Sequence, residues 1–166
     1  MTDFIIKNGA LKKYRGKETK VVIPDSVTEI RRCAFFCCES LKEITIPDSV
    51  KEIGSGAFCG CENLADENGF VIVRDVLYDY FGNAEKVIIP DSVTEIGKCA
   101  FCECKSLKEI TIPDSVKKIG DFAFYECKSL TEIIIPDSVT EIGDEAFYEC
   151  KSLQEITIPD SVKKIG

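Results

Sequence analysis

Cysteine is the residue type with the most chemical potential in this chain, which has ten cysteines and no histidine. The segment Cys99-x-x-Cys102-x-Cys104 is similar to half of a zinc or thiol-redox motif, in which closely spaced thiolates bind a metal or exchange disulfides. The lack of histidine removes a common zinc ligand and excludes Ser-His-Asp and Cys-His catalysis. The cysteines leave a metal or redox module open, but they assign no catalytic residue, no cofactor and no defined metal site.

Five of the cysteines end an Ala-Phe-x-x-Cys segment: Cys38, Cys61, Cys104, Cys127 and Cys150. This spacing predicts a single helical turn that places Phe and Cys on one face. We expect these thiols to form a buried ladder of small hydrophobic groups that donate weakly to the adjoining loop. The other five are less regular, and we expect them to point outward without a shared role: Cys33, Cys37, Cys59, Cys99 and Cys102.

An acidic column offers a second candidate chemistry. One aspartate follows each proline and precedes a serine: Asp25, Asp48, Asp91, Asp114, Asp137 and Asp160. Stacked carboxylates are hard oxygen ligands of the kind that calcium prefers. Pro-Asp-Ser is also turn chemistry, in which Asp and Ser oxygens accept backbone N–H groups. We favour the turn.

The elements that position these residues are repeats. All six prolines lie in Ile-Pro-Asp-Ser-Val, at Pro24, Pro47, Pro90, Pro113, Pro136 and Pro159. A fixed period in the twenties predicts a solenoid, in which successive units stack to bury one continuous core. Each Leu-x-x-Ile-x-Ile-Pro segment, the last beginning at Leu153, predicts a short strand that proline ends. The Val and Ile that follow proline form a second wall of the core, and the Gly after that Ile predicts a turn with positive φ.

The longer interval, between Pro47 and Pro90, contains a second type of unit. Its sequence matches the N-terminus at a constant shift, and Asn8-Gly9 predicts a type I′ hairpin turn with Arg74-Asp75 as its weaker counterpart. We therefore predict one domain, 1–166. It comprises an N-terminal hairpin unit (1–23), repeats (24–65), a second hairpin unit (66–89) and further repeats (90–166), the last one incomplete.

Residues 107–127 show the whole pattern, Leu-x-x-Ile-x-Ile-Pro-x-x-Val-x-x-Ile-Gly-x-x-Ala-Phe-x-x-Cys. This pattern resembles the BspA-like, or Treponema-type, leucine-rich-repeat family. The resemblance implies an α/β fold class: a leucine-rich-repeat solenoid with short parallel strands on the concave side, short helical turns and β-hairpin units. It also implies a non-enzymatic protein–protein interaction or adhesion module at a microbial cell surface, with host matrix or another cell-surface protein as partner.

The charge and hydropathy of the chain argue against nucleic acid and membrane as partners. The formal net charge is −8, and no long basic run exists that would attract nucleic acid. No apolar run is long enough for membrane insertion. The resemblance implies a cell-surface or secreted protein, yet the N-terminus shows no signal peptide. An intracellular binding scaffold and a thiol-based metal or redox module therefore stay open as alternatives.

Two surfaces are candidates for binding. The predicted concave face displays Glu43, Thr45, Glu109, Thr111, Glu132, Ile134, Glu155 and Thr157. The hairpin units and the convex edge carry aromatic residues predicted to lie outside the core, with Tyr78, Tyr80, Tyr125 and Tyr148 as candidate contacts and Tyr14 beside them. The incomplete last repeat also predicts end-to-end self-association, because an uncapped solenoid exposes apolar surface.

Overall fold

The computed structural model describes residues 3–166 and divides into two compact units. Unit 1 ends at Val71, and unit 2 comprises Ile72–Gly166. Each unit is built from short strands that stack repeat upon repeat. The extent of a single domain over 1–166 stays a prediction.

Unit 1 contains two sheets. Its strands are β1 (Phe4–Lys7), β2 (Ala10–Tyr14), β3 (Lys20–Val22), β4 (Glu29–Ile30), β5 (Glu43–Thr45) and β6 (Glu52–Ile53). One sheet has the order β1-β2-β4-β6 and the other pairs β3 with β5. Asn8 and Gly9 join the antiparallel strands β1 and β2 with positive φ angles of 52° and 75°. This geometry confirms the predicted hairpin turn.

Unit 2 repeats the arrangement. Its strands are β7 (Phe70–Val73), which spans the boundary, β8 (Val76–Tyr80), β9 (Lys86–Ile88), β10 (Glu95–Ile96), β11 (Glu109–Thr111), β12 (Lys118–Ile119), β13 (Glu132–Ile134), β14 (Glu141–Ile142) and β15 (Lys164–Ile165). The sheet orders are β15-β14-β12-β10-β8-β7 and β13-β11-β9. Arg74 and Asp75 both have positive φ, which confirms the second hairpin turn.

Each complete repeat therefore contributes to two parallel sheets. The pre-proline sheets contain the strands that lead into Ile-Pro: β3 and β5 in unit 1, and β9, β11 and β13 in unit 2. The post-valine sheets contain the strands that follow the valine three residues after each proline. These strands are β4 and β6 in unit 1, and β10, β12, β14 and β15 in unit 2. The sequence predicted the first kind of strand. It indicated only a core wall for the second, because a two-residue strand has too few residues to show a period of two.

One predicted strand is missing. Gln154–Ile158, which precede Pro159, form no strand, so β13 is an edge of its sheet. Leu153 and Ile156 are only half-buried, whereas the equivalent Leu130 and Ile133 are buried. The weaker burial removes much of the driving force for pairing in this repeat.

The predicted helical turns are not confirmed, and the observed class is a β-solenoid with parallel strands rather than α/β. Among residues 3–166 the structure contains no α-helix and one 3-10 turn, Glu62–Leu64. The Ala-Phe-x-x-Cys segments are hydrogen-bonded turns instead, as in Ala123–Cys127. Phe122 and Glu126 have φ of 56° and 55°, and other repeats place left-handed residues at the same two columns. A left-handed residue every fourth position prevents a right-handed helix from continuing.

Aromatic rings form a ladder through the core of each unit. Phe101, Phe124 and Phe147 stack with ring centroids 5.2 and 5.3 Å apart. Tyr80 lies beside Phe101 in this ladder of unit 2. In unit 1 Tyr14 lies between Phe4 and Phe35 in the equivalent ladder. Our expectation that Tyr14, Tyr78 and Tyr80 lie outside the core is wrong, because all three are buried. The hairpin strands take the place of a repeat, so their tyrosines occupy core positions.

The sequence predicts positive φ for the glycines after Ile, and this prediction is wrong. They permit close approach of neighbouring backbones instead. A Cβ atom on Gly120 would lie 2.8 Å from the carbonyl carbon of Gly97, and one on Gly97 would lie 2.7 Å from the carbonyl oxygen of Leu77. Glycine therefore suits the close spacing between successive repeats at these positions, although Arg31 occupies the same column in the first repeat.

Candidate functional site

The outer face of the pre-proline sheet in unit 2 carries an exposed row of β-branched side chains. Thr111 pairs in register with Ile88 on one side and with Ile134 on the other. Because side chains alternate along a strand, Val87, Ile110 and Ile133 point into the core while this row points outward. Ile88 is 73% exposed and Ile134 is 71% exposed. We call Ile88, Thr111 and Ile134 the β-branched row.

A charged row runs beside the β-branched row. Lys86, Glu109 and Glu132 are in register on the same three strands. Lys86 Nζ lies 2.7 Å from Glu109 Oε2, and this hydrogen bond raises the pKa of the Lys86 ammonium group above its usual value. Lys108 Nζ and Glu85 Oε1 form a second pair, 2.8 Å apart. These two ion pairs offset four of the five charges, and the β-branched row is the apolar part of the face.

The β-branched row ends at a cavity of 460 Å³. The cavity is lined by Ile133–Ile135, Asp137 and Thr157–Asp160. It lies where the strand predicted before Pro159 does not form. The row therefore continues into an open cleft at the edge strand β13.

The structure brings together half of the residues predicted for the concave face. Glu109, Thr111, Glu132 and Ile134 are neighbours on β11 and β13 in unit 2. Glu43 and Thr45 lie together on β5 in unit 1, where Lys20 Nζ is 2.8 Å from Glu43 Oε1. Glu155 and Thr157 are exposed but belong to no strand, and Thr157 lines the cavity.

The sequence prediction missed one exposed residue of this column in each unit. Ile88 in unit 2 and Val22 in unit 1, which is 67% exposed, occupy the column two residues before proline. Thr45, Thr111, Ile134 and Thr157 occupy the same column. Aligning the hairpin units on proline, as was done for the repeats, would have revealed the complete column.

The turn side of unit 2 carries a smaller aromatic surface. The rings of Tyr125 and Tyr148 stack with centroids 5.8 Å apart, and Tyr148 is 51% exposed. Phe122 meets Tyr125 edge-on, and Lys98 Nζ lies 4.9 Å from the centroid of the Phe122 ring. A hydrogen bond with Glu126 raises the pKa of the Tyr125 hydroxyl. Tyr125 and Tyr148 are thus the two predicted aromatic contacts that the structure places at the surface.

Three of the five thiols in the regular cysteine column form the predicted buried ladder, whereas Cys38 and Cys104 are only half-buried. Cys61 Sγ donates to Phe35 O at 3.1 Å, Cys127 Sγ to Phe101 O at 3.0 Å, and Cys150 Sγ to Phe124 O at 3.1 Å. These three thiols are buried, and hydrogen bonding within the ladder together with burial raises the pKa of Cys127. Each thiol donates a second hydrogen bond to a carbonyl oxygen of the preceding repeat that also accepts a backbone N–H group, so these three thiols have a structural role.

The irregular cysteines behave differently from our expectation. Cys99 and Cys102 form a disulfide with a Cα–Cα distance of 4.8 Å, so they are not incidental. Cys104, the third residue of that motif, belongs to the thiol column and is half-buried. Among residues 3–166 no group of three or more Cys, Asp or Glu side chains is placed to hold a metal ion.

The acidic column belongs to turns. Backbone N–H groups of the valines donate to proline carbonyls three residues earlier, as in Val116 N to Pro113 O at 3.1 Å. Two of the serines donate rather than accept: Ser115 Oγ bonds to Val93 O and Ser138 Oγ to Val116 O, both at 2.7 Å. These two bonds join successive repeats, so Ser115 and Ser138 have a structural role.

Parallel strands that stack repeat upon repeat, with a ladder of aromatic rings between them, are the features of a leucine-rich-repeat β-solenoid. The family model for the BspA type leucine rich repeat region matches six copies over residues 5–68 and 71–166. The chain therefore belongs to the BspA-type leucine-rich-repeat family.

Solved structures of bacterial leucine-rich-repeat proteins are similar to this chain. The pneumococcal vaccine antigen PcpA is 25% identical, with a TM-score of 0.57 over 87% of this chain and 46% of that one. A leucine-rich repeat protein from Eubacterium ventriosum is 25% identical, with a TM-score of 0.54 over 88% of this chain and 55% of that one. The T. pallidum leucine-rich repeat protein TpLRR is 34% identical, with a TM-score of 0.46 over 90% and 63%. The chain thus spans between about half and two thirds of the length of these proteins.

No curated protein sequence matches the chain. In the part of the chain that the structure describes, no helix has the length and apolar character needed to cross a membrane.

Proposed function

We propose that this protein is a non-enzymatic protein-binding module that uses the outer face of the pre-proline sheet in unit 2. The observation that carries the proposal is the β-branched row, three side chains in register of which Ile88 and Ile134 are more than two thirds exposed. Two isoleucines this exposed on either side of Thr111 form a row that suits burial against a partner.

The physical properties of the face favour a protein partner. Ile and Thr are stiff at χ1, so their side chains lose little conformational entropy when a partner covers them. The backbone beneath them is held by parallel pairing on both sides of β11. Lys86 and Glu109 lie beside the row as an ion pair, which suits the polar rim of an interface.

An adhesive role at a microbial cell surface is the finer form of this proposal. It is supported by family membership and by a solved relative from Faecalibacterium prausnitzii described as a leucine rich cell surface protein, which is 32% identical. Host matrix and other cell-surface proteins are then the partners to test. An intracellular binding scaffold would use the same face with a different partner.

The test measures binding of purified protein to a panel of immobilised host matrix and bacterial surface proteins. Ile88→Glu with Ile134→Glu places charge in the row and is expected to weaken binding by about tenfold or more. Tyr148→Glu with Ser106→Glu, which adds the same two negative charges at exposed positions away from the row, is the matched control and should bind like the unmodified protein. Loss of binding in the control alone would transfer the site to the turn-side aromatic surface.

A thiol-redox role is the second candidate, because the Cys99–Cys102 disulfide has the Cys-x-x-Cys spacing. Cys102 and Cys104 line a cavity of 350 Å³, so a small thiol can reach the disulfide from solvent. Catalysis of dithiol–disulfide exchange in a peptide substrate, lost in Cys102→Ser, would support this role. A rate equal to that of the uncatalysed reaction would reject it.

A further inference from the structure

Two columns of the repeat carry irregular cysteines in both units. The two cysteines come from one repeat in unit 2 and from successive repeats in unit 1. In unit 2, Cys99 and Cys102 come from one repeat and are joined in a disulfide. In unit 1, the residue that aligns with Cys102 is Cys59, and the residue that aligns with Cys99 in the same repeat is Gly56. The cysteine of that column is instead Cys33, in the preceding repeat.

The geometry around Gly56 shows where the missing side chain would lie. A Cβ atom on Gly56 would be 3.5 Å from Cys59 Sγ and 3.6 Å from Cys33 Sγ. The two sulfur atoms therefore face one space and are at most about 7 Å apart, a separation that rotation about χ1 can shorten. Gly56 has φ of 66°, close to 60° at Cys99 and 56° at Cys33, so the turns share one backbone conformation.

We propose that Cys33 and Cys59 are a dithiol–disulfide couple that links two successive repeats of unit 1. Cys33 extends across the glycine and replaces the partner that Cys99 provides to Cys102 in unit 2. Both side chains are partly exposed, so a small-molecule disulfide can reach them from solvent. This inference is independent of the proposed binding face.

The reaction is a thiol–disulfide exchange with a small disulfide such as oxidised glutathione. One cysteine thiolate attacks the small disulfide, forms a mixed disulfide and releases one thiol. The second cysteine thiolate then attacks the mixed disulfide and releases the other thiol. The protein loses two protons and two electrons, and one small disulfide becomes two thiols.

The first experiment maps disulfides after equilibration of the whole chain with oxidised glutathione, alkylation, proteolysis and mass spectrometry. The proposal expects a Cys33–Cys59 linked peptide in addition to Cys99–Cys102. Cys37 is the competing thiol, because it is exposed and its Sγ lies 2.8 Å from the position of a Cβ atom on Gly60. A link from Cys37 to either cysteine, or mixed disulfides alone, would overturn the proposal.

The second experiment gives Cys59 a different disulfide partner. Gly56→Cys restores the spacing of Cys99 and Cys102, so the introduced thiol should bond with Cys59 and leave Cys33 reactive toward an alkylating reagent. Gly56→Ser is the matched control, in which the Cys33–Cys59 link should persist. Unchanged alkylation of Cys33 between Gly56→Cys and the unmodified oxidised protein would contradict the assignment.

The third experiment measures thermal unfolding before and after oxidation. A disulfide that closes a loop across two repeats restricts the unfolded chain and is expected to raise the midpoint by about 5–10 °C. Cys33→Ser should remove this increase, whereas Cys37→Ser should retain it. An equal increase in both variants would assign the effect to another pair and reject the link.

Discussion

The thiol of Cys127 donates a hydrogen bond to the carbonyl oxygen of Phe101, 3.0 Å away in the preceding repeat. Both residues are buried, so water cannot replace the donor. Cys127→Ala is therefore expected to destabilise the protein by about 1–2 kcal/mol, because it removes one of the two hydrogen bonds that Phe101 O accepts and leaves a small void. The other bond comes from Cys104 N at 3.3 Å. Cys127→Ser, which keeps a donor, should be less destabilising. Urea unfolding of both variants checks this order.

The matched control for the thiol ladder is Cys37→Ala, since Cys37 is exposed. A surface substitution of this kind should change the free energy of unfolding by no more than about 0.5 kcal/mol. Equal stabilities for Cys127→Ala and Cys37→Ala would show that the Sγ to carbonyl bond contributes nothing measurable.

The raised pKa of Cys127 predicts a loss of stability at alkaline pH. In the unfolded chain the thiol ionises near its ordinary pKa of 9.0, whereas the folded protein holds it protonated. The unfolded state therefore binds fewer protons above that pH, and stability falls as pH rises. The slope for one thiol is about 1.4 kcal/mol per pH unit. Urea midpoints between neutral and alkaline pH should fall more steeply for the unmodified protein than for Cys127→Ser. Parallel curves would contradict the shift.

Left-handed residues in the turns predict a stabilising substitution. Glu145 is exposed and has φ of 52°, while unit 1 places Gly56 in the same column. Glu145→Gly relieves a cost of about 1–2 kcal/mol for the left-handed backbone. Glycine also makes the unfolded chain more flexible, which opposes folding by a smaller amount, so the free energy of unfolding should rise by about 0.5–1 kcal/mol. The control is Lys163→Gly, which should reduce stability because Lys163 lies outside the left-handed region. A urea midpoint for Glu145→Gly below that of the unmodified protein would refute the prediction.

The repeat period and proline positions were enough to predict the pre-proline strands, except the one before Pro159, and the largely buried Ile, Leu and Phe columns. The hairpin turns followed from Asn8-Gly9 and Arg74-Asp75. The thiol ladder also followed from the Ala-Phe-x-x-Cys spacing. The post-valine sheet was not predicted, because Glu-Ile or Lys-Ile alone has no alternation. The turns around Phe122 and Glu126 were assigned as helical because neither residue is one that usually marks a left-handed conformation.

The candidate binding face was predicted only in part for a related reason. Thr111 and Ile134 were identified from complete repeats, but Ile88 precedes a proline in a hairpin unit and was not aligned with them. The exposure of an isoleucine cannot be judged from its type, since the same residue fills the core at Ile110 and Ile133. The register of three strands decided which of them face outward.

The glycine column predicts a large loss of stability from a single methyl group. Gly120→Ala would place Cβ 2.8 Å from the backbone of both Gly97 and Lys98, in a contact that rotation of a side chain cannot relieve. Overpacking of this kind costs about 1–3 kcal/mol. Glu145→Ala introduces alanine at an exposed position and serves as the control, with little expected change. Thermal midpoints that coincide for the two variants would exclude backbone crowding as the reason for the glycine.

The edges of the sheets in unit 2 predict self-association of this 166-residue chain. β15 and β13 are edge strands in the sheet orders of the described residues, and Ile158 and Ile165 are exposed beside them. An unpaired edge with apolar side chains favours pairing with a second copy, so sedimentation velocity should show a species that grows with concentration. Ile165→Lys places a charge on the edge and should shift the distribution toward monomer, whereas Ser106→Lys, away from this edge, should not. A monomer at every concentration would argue against association, and equal shifts in both variants would attribute it to net charge rather than to the strand edge.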